Sequence, residues 1–252
     1  MRRTRVIPVL LIHNRGVYKT TKFSSPVYVG DPINAIRLFN DLEVDEIVVL
    51  DIDASKEGRG PDFALIEELA GEAFMPFSYG GGITHVAQAK DVLKCGIEKI
   101  IINNGMWANP GLLLECAQKF GSQSVVASID FRKGMWGTAR RFDHVTGKLV
   151  KQEILDCLKI AEQFGAGEIL LNAVALDGSM LGMDNNVLKE VADNATVPVV
   201  ICGGASSIDD MRQAEANGAS GIAAGSMFVF YGKQKGVLIS YPREQDMREH
   251  LL

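Results

Sequence analysis

Short runs of β-branched and aliphatic residues alternate along this chain with longer stretches whose apolar positions recur every three or four residues. The first kind reads as buried strands and the second as amphipathic helices. Strands are predicted at Arg5–Ile12, Glu46–Asp53, Pro76–Tyr79, Lys99–Asn103, Ser124–Asp130, Glu168–Ala173, Pro198–Cys202 and Gly221–Ala224. Helices are predicted near Pro32–Leu42, Phe63–Glu72, His85–Cys95, Gly111–Phe120, Glu153–Phe164, Asn186–Ala192 and Ile208–Asn217, with a short closing helix near Arg243–Leu251. Eight strands followed by helices in 252 residues, with no low-complexity linker, predict one (β/α)8 barrel domain over residues 1–252. A doubly wound open sheet is the competing architecture.

An internal repeat favours closure. Gly81-Gly82, after the apolar stretch Phe74–Phe77, recur 122 residues later as Gly203-Gly204 after Val197–Ile201. At the same offset Asp45-Glu46-Ile47 becomes Gly167-Glu168-Ile169, Asp62 becomes Asp184, Gly96 becomes Gly218 and Asn104 becomes Ser226. A constant spacing implies two equivalent units, here half-barrels of roughly 1–122 and 123–252. A closed barrel accepts such duplication without leaving strand edges.

Composition narrows the class. The chain is 47% hydrophobic and 23% charged, as expected of a globular protein with a large core. No apolar run reaches membrane-spanning length. Met1-Arg2-Arg3-Thr4-Arg5 is basic, but the following Val6–Ile12 is short, strand-like and interrupted by Pro8, unlike a signal peptide. The net charge of −5 and the lack of a Lys/Arg run argue against nucleic-acid binding. Cys95, Cys116, Cys157 and Cys202 stand singly, which suits reduced thiols in a cytoplasmic protein. No metal site or cofactor is expected, because no histidine sits with carboxylates at ligand spacing.

Chemistry in such barrels sits at strand C-termini. Tyr79-Gly80-Gly81-Gly82-Ile83 follows the third strand and Cys202-Gly203-Gly204-Ala205 the seventh. Asn103-Asn104-Gly105 follows the fourth, Ala175-Leu176-Asp177-Gly178-Ser179 the sixth and Gly225-Ser226 the eighth. Glycines let backbone N–H groups approach an anion, and the following helix adds its positive end. Two such cradles on opposite sides of one mouth suit a ligand phosphorylated at both ends. Lys19 in the first loop could reach over the mouth as a cation, although its position alone reads as a solvated lysine.

A second alignment, offset by 119, lays Val6–Leu11 on Val125–Asp130. Asp130 ends the fifth strand, where a carboxylate can act as general acid or base. Its mate is Leu11, which can do neither. Asp51 and Asp53 end the second strand and could substitute, or Asp51 could pair with Lys19 or accept loop N–H groups. His13, His85, His144 and His250 are scattered, and no Ser-His-Asp or Cys-His arrangement falls on one face.

Arg5–Leu10, Leu50-Asp51-Ile52, Gly80–Ile83, Ile102-Asn103, Phe120-Gly121-Ser122-Gln123, Ile129-Asp130, Gly165–Leu171, Asp177-Gly178 and Gly203-Gly204-Ala205 together carry a resemblance over nearly the full length. The chain resembles the cyclase (HisF-type) subunit of imidazole glycerol phosphate synthase. The resemblance implies a glutaminase partner docked on the barrel bottom, ammonia passing through the core, and reaction at the top with a bis-phosphorylated ribulosyl intermediate. It also implies two catalytic aspartates, at the ends of the first and fifth strands. Asp130 matches the second; Leu11 stands in place of the first. The first loop, His13-Asn14-Arg15-Gly16, and Ala175-Leu176 also depart from the pattern. The cyclase activity is therefore expected to be impaired.

Arg5, Glu46, Lys99 and Glu168 stand at strand starts. On their own they read as solvent-facing ends, although a ring of ion pairs would satisfy all four. The resemblance implies the gate through which ammonia enters, with Glu98 as an acidic contact for the glutaminase. A lost aspartate beside a retained gate points to the divergent branch of the family linked to surface-polysaccharide gene clusters, which Lys235–Pro242 also resembles. There a third enzyme would amidate a nucleotide sugar. The alternatives are an active histidine-pathway cyclase and a non-enzymatic scaffold for the glutaminase.

Overall fold

The computed structural model describes residues 4–232, 234 and 236–251. Met1–Arg3 of the basic N-terminus and Lys235 of the C-terminal segment lie outside the described residues. Eight parallel strands form the barrel: β1 (Arg5–His13), β2 (Ile47–Asp51), β3 (Phe77–Gly80), β4 (Lys99–Ile102), β5 (Val125–Lys133), β6 (Glu168–Ala173), β7 (Val199–Cys202) and β8 (Gly221–Ala224). Each pairs with its neighbours in chain order, and β8 returns to β1 through Arg5↔Gly221 to Pro8↔Ala224, so no edge remains. The fold is a closed (β/α)8 barrel, and the open-sheet alternative is excluded.

Helices cover the outside: α1 (Pro32–Asp41), α2 (Phe63–Glu72), α3 (Val86–Lys94), α4 (Gly111–Phe120), α5 (Ile154–Gln163), α6 (Asn185–Asn194), α7 (Ile208–Ala216) and α8 (Glu244–His250). Their starts are written locally. Asp62 accepts from Leu65 N at 3.1 Å at the start of α2, and its repeat mate Asp184 accepts from Val187 N at 3.3 Å at the start of α6. Such caps satisfy N–H groups that the first helical turn leaves open.

Strand periodicity sorts the core into two shells. Val6, Leu10 and Ile12 of β1 face the helices, whereas Ile7 and Val9, with Leu11 packed on them, face the axis. The axial shell also contains Val48, Ile101, Val126, Leu170, Val200 and Ala223. The barrel centre is therefore mostly apolar, with the buried Ser78 and Ser128 in register with Val48 and Leu170.

Two hairpins escaped the sequence reading. Gly16–Thr21 pairs with Ser24–Gly30 beyond β1, and Ala139–Asp143 pairs with Lys148–Glu153 beyond β5. Ser24–Gly30 is largely exposed and carries no apolar alternation, so periodicity had nothing to report. The second hairpin lengthens β5 past Asp130, through Phe131↔Arg141 and Lys133↔Ala139. Phe74, read as part of an apolar run, lies outside β3 and is exposed.

Candidate functional site: the barrel mouth and its floor

At the floor, four charges point inward from β1, the residue preceding β2, β4 and β6. Arg5 meets Glu46 at 2.5 Å and Glu168 at 3.1 Å; Lys99 meets the same two carboxylates, each at 3.1 Å. Ser78 Oγ donates to Glu46 Oε1 at 2.8 Å. Burial opposes the charge on Arg5, but Glu168 and Glu46 outweigh it and hold its pKa above the ordinary value. The four are therefore not independent solvent-facing ends; they close a ring across the axis. Glu98 lies beside it, exposed, with its backbone N–H donated to Phe77 O.

At the opposite end the strands open into a cavity of about 140 Å³. Leu11, Leu50, Lys19, Asp130, Asn172 and Cys202 line it, together with Gly81, Gly82, Asn103, Asn104, Asp177, Gly178, Gly203, Gly204, Gly225 and Ser226. Both glycine loops take left-handed backbone that their surroundings demand. At Gly81, with φ +140°, a Cβ would lie 2.6 Å from Asp51 Cβ; at Gly204, with φ +97°, it would lie 2.0 Å from Gly182 O. Asn104 opens a helical turn, Asn104–Ala108, and Ser226 opens its counterpart, Ser226–Phe228.

Leu11 has the inward parity of Ile7 and Val9 and faces the mouth from β1. Asp130 faces it from β5 and is buried. Its Oδ2 accepts from Asn103 Nδ2 at 2.8 Å and lies 3.1 Å from His144 Nδ1. The histidines are thus less scattered than their spacing suggests. The hairpin beyond β5 folds His144 back onto Asp130, and His13 meets Asp53 at 2.8 Å. Among the described residues no group of three potential ligands is gathered for a metal ion.

Two expectations are corrected. Lys19 is not a solvated lysine: it is 3% exposed, donates to Val9 O, and lies over Gly225. Burial pushes its pKa down to about 8, against the attraction of Asp177 and Cys202. Of the two structural roles expected of Asp51, it accepts loop N–H groups and does not pair with Lys19. Arg59 grips it at 2.7 and 3.0 Å, and Asp53 N and Ala54 N donate to it. Its parity is opposite to that of Val48 and Leu50, and it secures the loop after β2 while its edge still lines the cavity. Asp177 accepts from Thr20 Oγ1 at 2.7 Å and Phe23 N at 3.1 Å, tying the first hairpin to the loop after β6. Burial raises the Asp177 pKa more than those bonds and Lys19 lower it. Burial likewise pushes the Cys202 thiol up to about 12.

The buried Lys19 predicts a measurable pH dependence. Its folded pKa lies below the ordinary 10.5, so the unfolded chain binds the proton more tightly. The stabilising contribution is full above 10.5 and is lost as pH falls through about 8. Relative to Lys19→Met, the native chain should gain up to about 3 kcal/mol between pH 7 and pH 11, a shift of one pKa unit being worth about 1.4 kcal/mol. Urea unfolding of both proteins across that range checks it; parallel stability curves would contradict it.

The profile described as "Histidine biosynthesis protein" matches residues 5–235, almost the whole barrel. The chain belongs to the histidine biosynthesis protein family. It is 49% identical over 243 residues to "Putative imidazole glycerol phosphate synthase subunit hisF2" of Pseudomonas aeruginosa, covering 96% of this chain and 97% of that one. It is 46% identical over 250 residues to the protein of Leptospira interrogans named "Putative imidazole glycerol phosphate synthase subunit HisF", covering 98% of each. It is also 37% identical over 234 residues to the imidazole glycerol phosphate synthase subunit HisF of Streptococcus mutans, covering 92% and 93%. This family member is thus a HisF-type barrel. Among its described residues no helix is long and apolar enough to cross a membrane.

Proposed function

We propose that this HisF-type barrel is the ammonia-conducting subunit of a glutamine-dependent amidotransferase and is itself an impaired cyclase. The observation that carries the reading is Leu11 facing Asp130 across the mouth, at the position where the resemblance implies a second catalytic aspartate. Asp51 is poorly placed to replace it, because Arg59 and two loop N–H groups occupy its carboxylate. The charged floor ring and the apolar axial shell support passage of a small neutral nucleophile and disfavour that of an ion.

In this reading a glutaminase docks at the floor near Glu98, and the two cradles hold a phosphorylated ligand that tunes it. Such coupling is reciprocal: the ligand binds more tightly once the glutaminase is docked. The ammonia acceptor is a third enzyme that amidates a nucleotide sugar for surface polysaccharide, in the cytoplasm. The 49% and 46% identities to relatives whose names stop short of a plain assignment, against 37% to a plainly named HisF, support a divergent branch. The same family membership favours a second reading, an active cyclase in histidine biosynthesis.

The chain co-purified with its glutaminase should support glutamine hydrolysis and form little imidazole glycerol phosphate. Robust cyclase turnover would overturn the first reading in favour of the second. A third possibility, a pure scaffold, is separated by breaking the floor ring with Glu46→Ala.

A further inference from the structure

We propose that His144, oriented by Asp130, is a proton-transfer group of the barrel mouth, acting on a phosphorylated open-chain keto sugar to exchange hydrogens beside its carbonyl. The proposal rests on the reading of the glycine loops as phosphate cradles. It goes beyond that reading by assigning the mouth a chemical step of its own.

His144 sits on a stiff turn. Asp143 Oδ1 accepts from Val145 N at 2.9 Å and Thr146 N at 3.1 Å, and Gly147 N donates to Asp143 O at 2.8 Å. These bonds fix the hairpin end that carries the imidazole over β5. His144 Nδ1 then lies 3.1 Å from Asp130 Oδ2. In the tautomer that donates Nδ1–H to Asp130, the lone pair is left on Nε2. A carboxylate holding one ring nitrogen so that the other can take a proton is the arrangement that makes an imidazole a general base. Nε2 has no hydrogen-bond partner among the described residues, and His144 lines the cavity. Asp130, with Oδ2 shared between Asn103 and His144, becomes a positioning residue.

Two further groups favour a ligand between the cradles. Asn172, paired in register with Asp130, is 7% exposed and lines the cavity, and its Oδ1 accepts no hydrogen bond among the described residues. A buried acceptor left open suits a ligand hydroxyl. Lys19 lies on the far wall, between Val9 of β1 and Gly225 after β8, where its ammonium can face a carbonyl oxygen. His144 Nε2 would take the proton from the carbon beside the carbonyl. The C–H electron pair becomes the C=C bond of an enediolate, and the carbonyl π pair moves onto oxygen opposite Lys19. Return of a proton from the imidazolium restores the ketone, so the step needs no co-reactant.

The test uses the full chain and ribulose 5-phosphate in D2O. Phosphorus-31 NMR reports binding, and proton NMR reports loss of the signals beside the carbonyl. Native chain should exchange those hydrogens, and His144→Asn, prepared identically, should slow exchange at least about 100-fold while keeping binding, the scale expected for loss of a general base. His144→Ala should regain exchange on addition of imidazole, which a purely structural role would not allow. Binding without exchange, or equal exchange by native chain and His144→Asn, overturns this proposal and leaves the cradles intact. No binding overturns the cradle reading and this proposal with it.

Discussion

Leu11→Asp should raise cyclase turnover by about two to four orders of magnitude, the range that a positioned acid–base group contributes. The substitution places a second carboxylate at the end of β1, on the inward parity shared with Ile7 and Val9 and across the mouth from Asp130. The measurement is imidazole glycerol phosphate formation with ammonium salt supplied directly, so that the glutaminase plays no part. A cost in stability accompanies the gain. Leu11 packs on the axial apolar shell, and a polar group there without a partner costs about 1–3 kcal/mol. Unchanged low turnover in a folded variant would place the block elsewhere in the mouth. High turnover before and after the change would mean that another group already does the work of the missing aspartate.

Glu46→Ala should do two separable things. Glu46 is 3% exposed and bonds Arg5, Lys99 and Ser78. Removing it leaves two cations against the single carboxylate of Glu168, and breaking a buried ion pair by deleting one partner costs about 3–5 kcal/mol. Thermal or urea unfolding reads that loss. The second effect is functional. With the ring open at one corner, water reaches the axis, and glutamine hydrolysis should separate from nitrogen transfer. A nitrogen-15 label followed from glutamine amide to free ammonium measures the leak. If the barrel were only a scaffold, Glu46→Ala would lower stability and leave the ratio of transferred to released nitrogen as it was.

These two substitutions probe opposite ends of one axis, and their readouts are independent. Leu11 and Glu46 belong to different layers of inward-facing side chains, with Val9 and Val48 between them. Distant sites without shared partners add in their effects on stability. A double variant whose stability loss is the sum of the two single losses would fit that separation.

The alternation of short apolar runs with amphipathic stretches was enough to specify eight strands and eight helices in order, because each element buries one face and repeats at its own period. Phe63–Glu72 and Gly111–Phe120 read in the sequence are the helices observed, residue for residue. The 122-residue offset likewise marked Asp62 and Asp184 as equivalent, and both turn out to cap a helix. Period-two parity even assigns the axis, since Arg5, Ile7, Val9 and Leu11 must share one side of β1. Leu11 opposite Asp130 is therefore legible in the sequence alone.

What remained beyond reach was whatever depended on loops returning over the barrel. Lys19 lies in a hairpin whose second strand is exposed and carries no apolar alternation, and packing of that hairpin against Asp177 and Gly225 buries it. Arg59 reaches Asp51, and His144 reaches Asp130, through loops whose course no periodicity encodes. The four floor charges are separated by up to 163 residues, so only closure of the sheet makes them a ring. Local patterns report which face of an element is buried. Which side chains meet across a barrel depends on how the ends of eight elements are brought around one axis, and that is set by long-range packing.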